Sequence, residues 1–131
     1  MTQSIATVSL VVADYDEAIS FYCDKLGFNL VTDTELGGGK RWVLVAPAGQ
    51  AGAQLLLAQA DGVEQSARVG NQGGGRVMFF LQTSNFARDH AAMISRGVTF
   101  LEAPRHEPYG SVAVFEDLYG NKWDLIEPAK G

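Results

Sequence analysis

The chain carries an internal duplication, and no other feature restricts its fold as strongly. Residues 5–12 read as a strand; the chain then turns at Asp14, continues as a helix to Leu26 and stops at Gly27. Residues 76–83 begin the same pattern again, with a turn at Asn85, a helix to Arg96 and a stop at Gly97. Asp14 and Asn85 suit a helix N-cap, where a short side-chain oxygen accepts the orphan N–H groups of the first turn. Glu17, three residues beyond Asp14, adds the partner of a capping box. Gly27 and Gly97 suit the left-handed position that ends many helices. Asp14 to Asn85 is a shift of 71 residues, and Gly27 to Gly97 a shift of 70. The shift of 70 lays residues 41–45 on 111–115 and, continued without a gap, Gln54 on Asp124.

The periods inside each half agree. Tyr15, Ala18, Ile19, Tyr22 and Leu26 recur at helical spacing and form one apolar stripe. Val8, Leu10 and Val12 alternate with Thr7, Ser9 and Val11, the period of a strand with two unlike faces. Short strands rich in Val, Leu and Phe follow each helix, at 28–34, 41–46 and 53–59, then at 98–103, 111–116 and 122–127. The prediction is an α+β fold of two tandem βαβββ modules, about 5–59 and about 76–128. Residues 60–75, with Asp61-Gly62, Asn71 and Gly73-Gly74-Gly75, read as a flexible glycine-rich connector. One module could hardly bury both faces of a four-stranded sheet. The halves are therefore expected to associate as a single domain spanning 1–131, an ordinary domain size.

Composition narrows the function. The net charge is -5, and Lys40-Arg41 is the only adjacent basic pair, so the positive field that nucleic acid requires is missing. No apolar run approaches the roughly 20 residues that span a bilayer, and residues 1–6 show no secretory signal pattern. Cys23 is the only cysteine, which excludes an intramolecular disulfide and a cysteine-rich zinc site. A cytoplasmic protein with a small-molecule partner, no nucleic acid and no membrane is the expectation.

At this point the residues resemble a known group. Val11-Val12-Ala13-Asp14-Tyr15-Asp16-Glu17-Ala18-Ile19-Ser20-Phe21-Tyr22, with Leu26-Gly27-Phe28 beyond, is similar to the opening signature of the vicinal-oxygen-chelate superfamily, the glyoxalase/bleomycin-resistance/extradiol-dioxygenase group. Residues 115–125, carrying Asp117, Gly120-Asn121, Trp123, Asp124 and Leu125, resemble its closing D-x-x-G-N-x-W-[ED]-L pattern. With the repeat, the resemblance covers nearly the whole chain. It implies that each module curls its sheet into half of a cup, so that the two form a cupped mixed β-sheet with helices on the convex side and ligand inside. It also implies, for the metal-dependent members, His and Glu ligands on the first and last strand of each module, a set that suits Fe, Ni, Mn or Zn.

Carried onto this chain, those four places are Thr7, Met78, Asp124 and Gln54, with Leu56 in place of Gln54 if the register slips by two. Only Asp124 is a credible ligand. His90 falls on the helix stripe and reads as packing. His106 lies in the segment from Pro104 to Gly110, expected as a loop bordering the cavity, and a site of His106, Glu107 and Asp124 has no spacing rule behind it. The two glycine runs do not join a strand to a helix N-terminus as phosphate loops do. Cys23 has no evident activating partner. Trp42 and Trp123 alternate with the expected concave residues and read as core. Arg41 could fix a carboxylate or phosphate by a bidentate pair, or stand exposed at a strand start.

The leading expectation is therefore a glyoxalase/bleomycin resistance-like protein without the usual metal, binding a small aromatic or amphipathic molecule by sequestration or modest acid/base chemistry. Asp124 is the candidate catalytic residue. Thr7, Gln54, Met78, Phe80, Arg41, His106 and Tyr109 are candidate ligand contacts, with Ser9 and Gln82 beside them. The alternatives are a lactoylglutathione lyase-like or dioxygenase enzyme with a divalent metal on displaced ligands, and a non-catalytic dimerisation or regulatory module. A homodimer is expected, two-fold pairs being the commonest oligomers.

Overall fold

Asp14 starts the first helix as its chemistry requires: its backbone is extended, and its carboxylate accepts the Glu17 N–H at 2.9 Å. Asn85 does the same for the Arg88 N–H at 3.1 Å. The computed structural model describes residues 2–49 and 52–130. The elements run β1 (Thr7–Val12), α1 (Tyr15–Ser20), a π-helical continuation (Phe21–Lys25), β2 (Asn29–Gly37), β3 (Lys40–Ala46), β4 (Gln54–Gln59) and α2 (Gly62–Arg68). They continue with β5 (Val77–Gln82), α3 (Phe86–Ser95), β6 (Thr99–Phe100), β7 (Arg105–Glu107), β8 (Gly110–Glu116) and β9 (Lys122–Pro128). Among the described residues no helix is long and apolar enough to cross a membrane.

The chain divides into two compact units, one ending at Val69 and the other beginning at Gly70. The first holds a four-stranded sheet of order β1-β4-β3-β2. β1 and β4 are parallel; β4, β3 and β2 are antiparallel neighbours. The second repeats that order as β5-β9-β8-β6, with β7 added beside β8. Both are the expected βαβββ arrangement. In the first unit Leu10, Val12, Val43, Val45, Leu55 and Leu57 alternate into a face that is almost wholly buried, and Tyr15 and Ala18 of α1 are buried with them. In the second, Phe79, Phe115, Trp123 and Leu125 line the corresponding face, and the rings of Phe86, His90, Phe100, Phe115 and Trp123 follow one another at 4.5 to 5.7 Å. His90 is thus packed between Phe86 and Phe100, as its place on the stripe implied.

Four departures from the sequence reading have local causes. The first helix is not α-helical to Leu26; it widens at Phe21–Lys25, where Leu26 N–H reaches the Phe21 carbonyl five residues back at 3.2 Å. Adjacent Phe21 and Tyr22 are both buried there. The connector is not featureless: α2 fills Gly62–Arg68, although none of its residues is buried. Beyond it, Gly70 lies so close to the Tyr119 carbonyl that a Cβ would collide. That contact belongs to the D-x-x-G-N turn, where buried Asp117 accepts the N–H groups of Tyr119, Gly120 and Asn121 at 2.9 to 3.1 Å. The strand expected at 98–103 shrinks to β6, and the loop expected at 104–110 contains β7, which pairs Arg105, His106 and Glu107 with Val112, Ser111 and Gly110.

The fourth departure concerns register. The shift of 70 matches Leu44 to Val114, and the shift of 71 matches Ser9 to Phe80. Leu44 and Ser9 both pair with Leu56, whereas Val114 and Phe80 both pair with Asp124. Leu56 therefore occupies the place equivalent to Asp124, and Gln54 does not. The reason is length: seven residues separate β3 from β4, and five separate β8 from β9. The loop absorbs two residues, and the last strand slips by two.

Candidate functional site

The side chains that alternate away from the buried faces define what each sheet offers a ligand. In the first unit these are Thr7 and Ser9 of β1, Trp42 and Leu44 of β3, and Gln54 and Leu56 of β4. Thr7 and Gln54 are direct cross-strand partners. Trp42 is 42% exposed, so the expected core role does not hold for it. Arg41 lies on the other face. It makes ion pairs with Asp16 of α1 at 2.9 Å and Asp33 of β2 at 2.7 Å, and its guanidinium sits over the Tyr15 ring at 5.1 Å. Its bond to Asp33 holds that carboxyl below the usual range. Arg41 thereby ties α1 to the β2–β3 hairpin and is committed to structure.

The second unit is richer in chemistry. Asp124 stands between Trp123 and Leu125, which are 3% and 0% exposed, so strand alternation sends it to the open face. Phe80 is its cross-strand partner on β5 and Val114 its partner on β8. Phe80 leaves a large aromatic surface uncovered, being 65% exposed. Met78 occupies an irregularity in the β5–β9 register between Val77 and Phe79, and its side chain lies against Gly73. One oxygen of Asp124, Oδ1, is buried without a hydrogen-bond partner. Burial raises the proton affinity of this carboxyl above its ordinary value; Arg105 opposes the rise and Glu102 adds to it.

Arg105 and Glu102 were not singled out in the sequence, and Glu107 only beside His106 and Asp124, yet the three frame Asp124's surroundings. Arg105 Nε donates to both Glu102 oxygens at 3.1 Å, and Nη1 donates to Glu107 and to the Tyr109 hydroxyl at 3.3 Å. Glu102 also accepts the Val114 N–H at 3.0 Å, so its carboxylate plugs the gap in the sheet edge between β6 and β7. The available signal was the i, i+2 spacing of Arg105 and Glu107, hidden because a loop was expected. The fold thus brings together Asp124 and Phe80, with Tyr109 reaching the group through Arg105. His106 is not among them: it pairs with Ser111, whose hydroxyl lies 3.0 Å from Nδ1, and strand alternation puts both on the side opposite Asp124. Among the described residues no group of three or more His, Cys, Asp or Glu side chains could hold a metal ion.

The comparisons agree with this architecture. A protein of Shewanella frigidimarina (strain NCIMB 400) is 53% identical over 128 residues, covering 97% of this chain and 95% of its own. Among solved structures, UcmS2 superposes with a TM-score of 0.83 at 28% identity, over 96% of this chain and 98% of that one. TnmS3, an antibiotic binding protein from Streptomyces sp. CB03234, superposes with a TM-score of 0.77 at 29% identity, over 98% of both chains. The model of the Glyoxalase/Bleomycin resistance protein/Dioxygenase superfamily matches residues 4–125. With its repeated βαβββ units and this match over nearly its whole length, the chain belongs to the glyoxalase/bleomycin resistance protein/dioxygenase superfamily.

Proposed function

We propose that the protein binds a small aromatic or amphipathic molecule against the open sheet face around Asp124, without the divalent metal used by metal-dependent members of the superfamily. One observation carries this reading: of the four places where the resemblance puts metal ligands, only Asp124 bears a group suited to a cation. The other three hold Thr7, Met78 and, by the strand registers, Leu56. A hydroxyl, a thioether and a hydrocarbon do not replace the imidazole and carboxylate donors that such metals need. Phe80 supplies apolar surface and Asp124 a polar group to orient the ligand, the usual composition of a small-molecule site. The likeness to TnmS3 supports sequestration as the activity. For acid/base chemistry Asp124 is the group suited to hold and release a proton. On the first unit's own open face Thr7 and Gln54 offer a hydroxyl and an amide, and Arg41 and His106 are not ligand contacts in this reading.

We also propose that the protein works as a homodimer, because β2 ends its sheet with Leu30, Val31 and Leu36 each about half exposed. Elemental analysis of purified protein, together with calorimetric titration against quinones and aromatic antibiotics, tests the main proposal. The expected result is sub-stoichiometric metal and saturable binding of at least one aromatic compound. One chelatable Ni, Zn, Fe or Mn per chain, with binding or turnover lost on its removal, would overturn it.

A further inference from the structure

We infer that the ligand presents a protonated amine to Asp124 and rests an apolar ring on Phe80. This rests on the binding reading above and names the chemistry of its ligand. Three observations carry it. Phe80 and Asp124 are direct cross-strand partners on one face, so a single small molecule can touch both. Asp124 is half-buried and its Oδ1 has no donor, although a buried carboxylate oxygen ordinarily accepts hydrogen bonds. Only Oδ1 is enclosed, so a donor arriving at the open edge meets the other oxygen, Oδ2.

The third observation is charge. Asp124, Glu102 and Glu107 stand against one guanidinium, and Arg105 already commits Nε and Nη1 to Glu102, Glu107 and Tyr109. Lys122, two positions before Asp124 on the same face, lies opposite Glu116 and adds no surplus. A ligand carboxylate or phosphate would meet net repulsion here. A neutral hydroxyl would satisfy an oxygen but leave the charge. An ammonium group supplies both donor and charge, and the face of the Phe80 ring favours a cation beside it. Burial and Glu102, which both favour the protonated carboxyl, would then be offset by the ligand itself.

Three probes sharing one ring distinguish the possibilities: 1-naphthylmethylamine, 1-naphthylmethanol and 1-naphthoate, titrated calorimetrically against the wild-type protein and Asp124→Asn. The amine should bind roughly tenfold or more tighter than the alcohol, the size expected for one charge-assisted hydrogen bond. Asp124→Asn, its folding checked by circular dichroism and thermal melting, should bring the amine to the alcohol's affinity. On the wild-type protein alone, added salt should weaken the amine and spare the alcohol. Equal binding of all three, or tightest binding of the naphthoate, overturns the inference and leaves aromatic binding standing. Failure of every probe and of every aromatic compound in the wider titration removes both.

Discussion

Asp124 shows how much one residue's position in a strand can decide. Its neighbours Trp123 and Leu125 must be buried, so alternation alone sends the carboxylate to the opposite face, and this was legible in the sequence. Its energetic state was not, because that depends on burial in the fold and on groups from other elements: Arg105 on β7 and Glu102 at the gap before it. Burial raises this carboxyl's proton affinity in the fold, so the native state holds the proton over a pH range where the unfolded chain has lost it. The resulting stability is present below the unfolded chain's carboxylate pKa of about 3.9, and is lost as pH rises through the raised folded value. Asp124→Asn should therefore melt at the same or a higher temperature than wild type at pH 8, with the difference shrinking toward pH 4. A sharp drop at pH 8, with affinity unchanged, would mark Asp124 as a structural partner.

At the scale of elements, β6 and β7 were the least predictable parts. Pro104 and Pro108 punctuate the segment and suggest a loop, yet three residues between them pair with β8. What holds the interruption is a side chain doing a strand's work: Glu102 takes the Val114 N–H and anchors Arg105. Glu102→Ala should leave that N–H unpaired and lower unfolding free energy by about 1–2 kcal/mol, measured by urea denaturation. Glu102→Gln keeps an acceptor and should recover part of the loss. Equal stability of wild type and the alanine variant would show that β8 does not need the plug. The repeat itself erred in the same way, since continuing the shift of 70 without a gap equated Gln54 with Asp124. The longer β3–β4 connection puts Leu56 there instead, and only the paired registers reveal it.

For the whole molecule, β2 is an edge strand nine residues long with exposed Leu30, Val31 and Leu36, the kind of edge that natural sheets usually cover. Multi-angle light scattering at micromolar concentration should give twice the 14.1 kDa chain mass, and a charge at Leu36 should shift the population toward monomer. A monomer mass for the wild type would refute the pairing. The sequence by itself determined the two βαβββ units, their helix caps and the side of β9 that Asp124 occupies, because caps, glycines and alternation are local rules of the backbone. Only the tertiary structure decided that Arg41 serves Asp16 and Asp33, that His106 faces away from Asp124, and that Glu102 and Arg105 surround the site. Each of those outcomes depends on which distant strand or helix lies alongside, and the spacing of residues along the chain does not encode that.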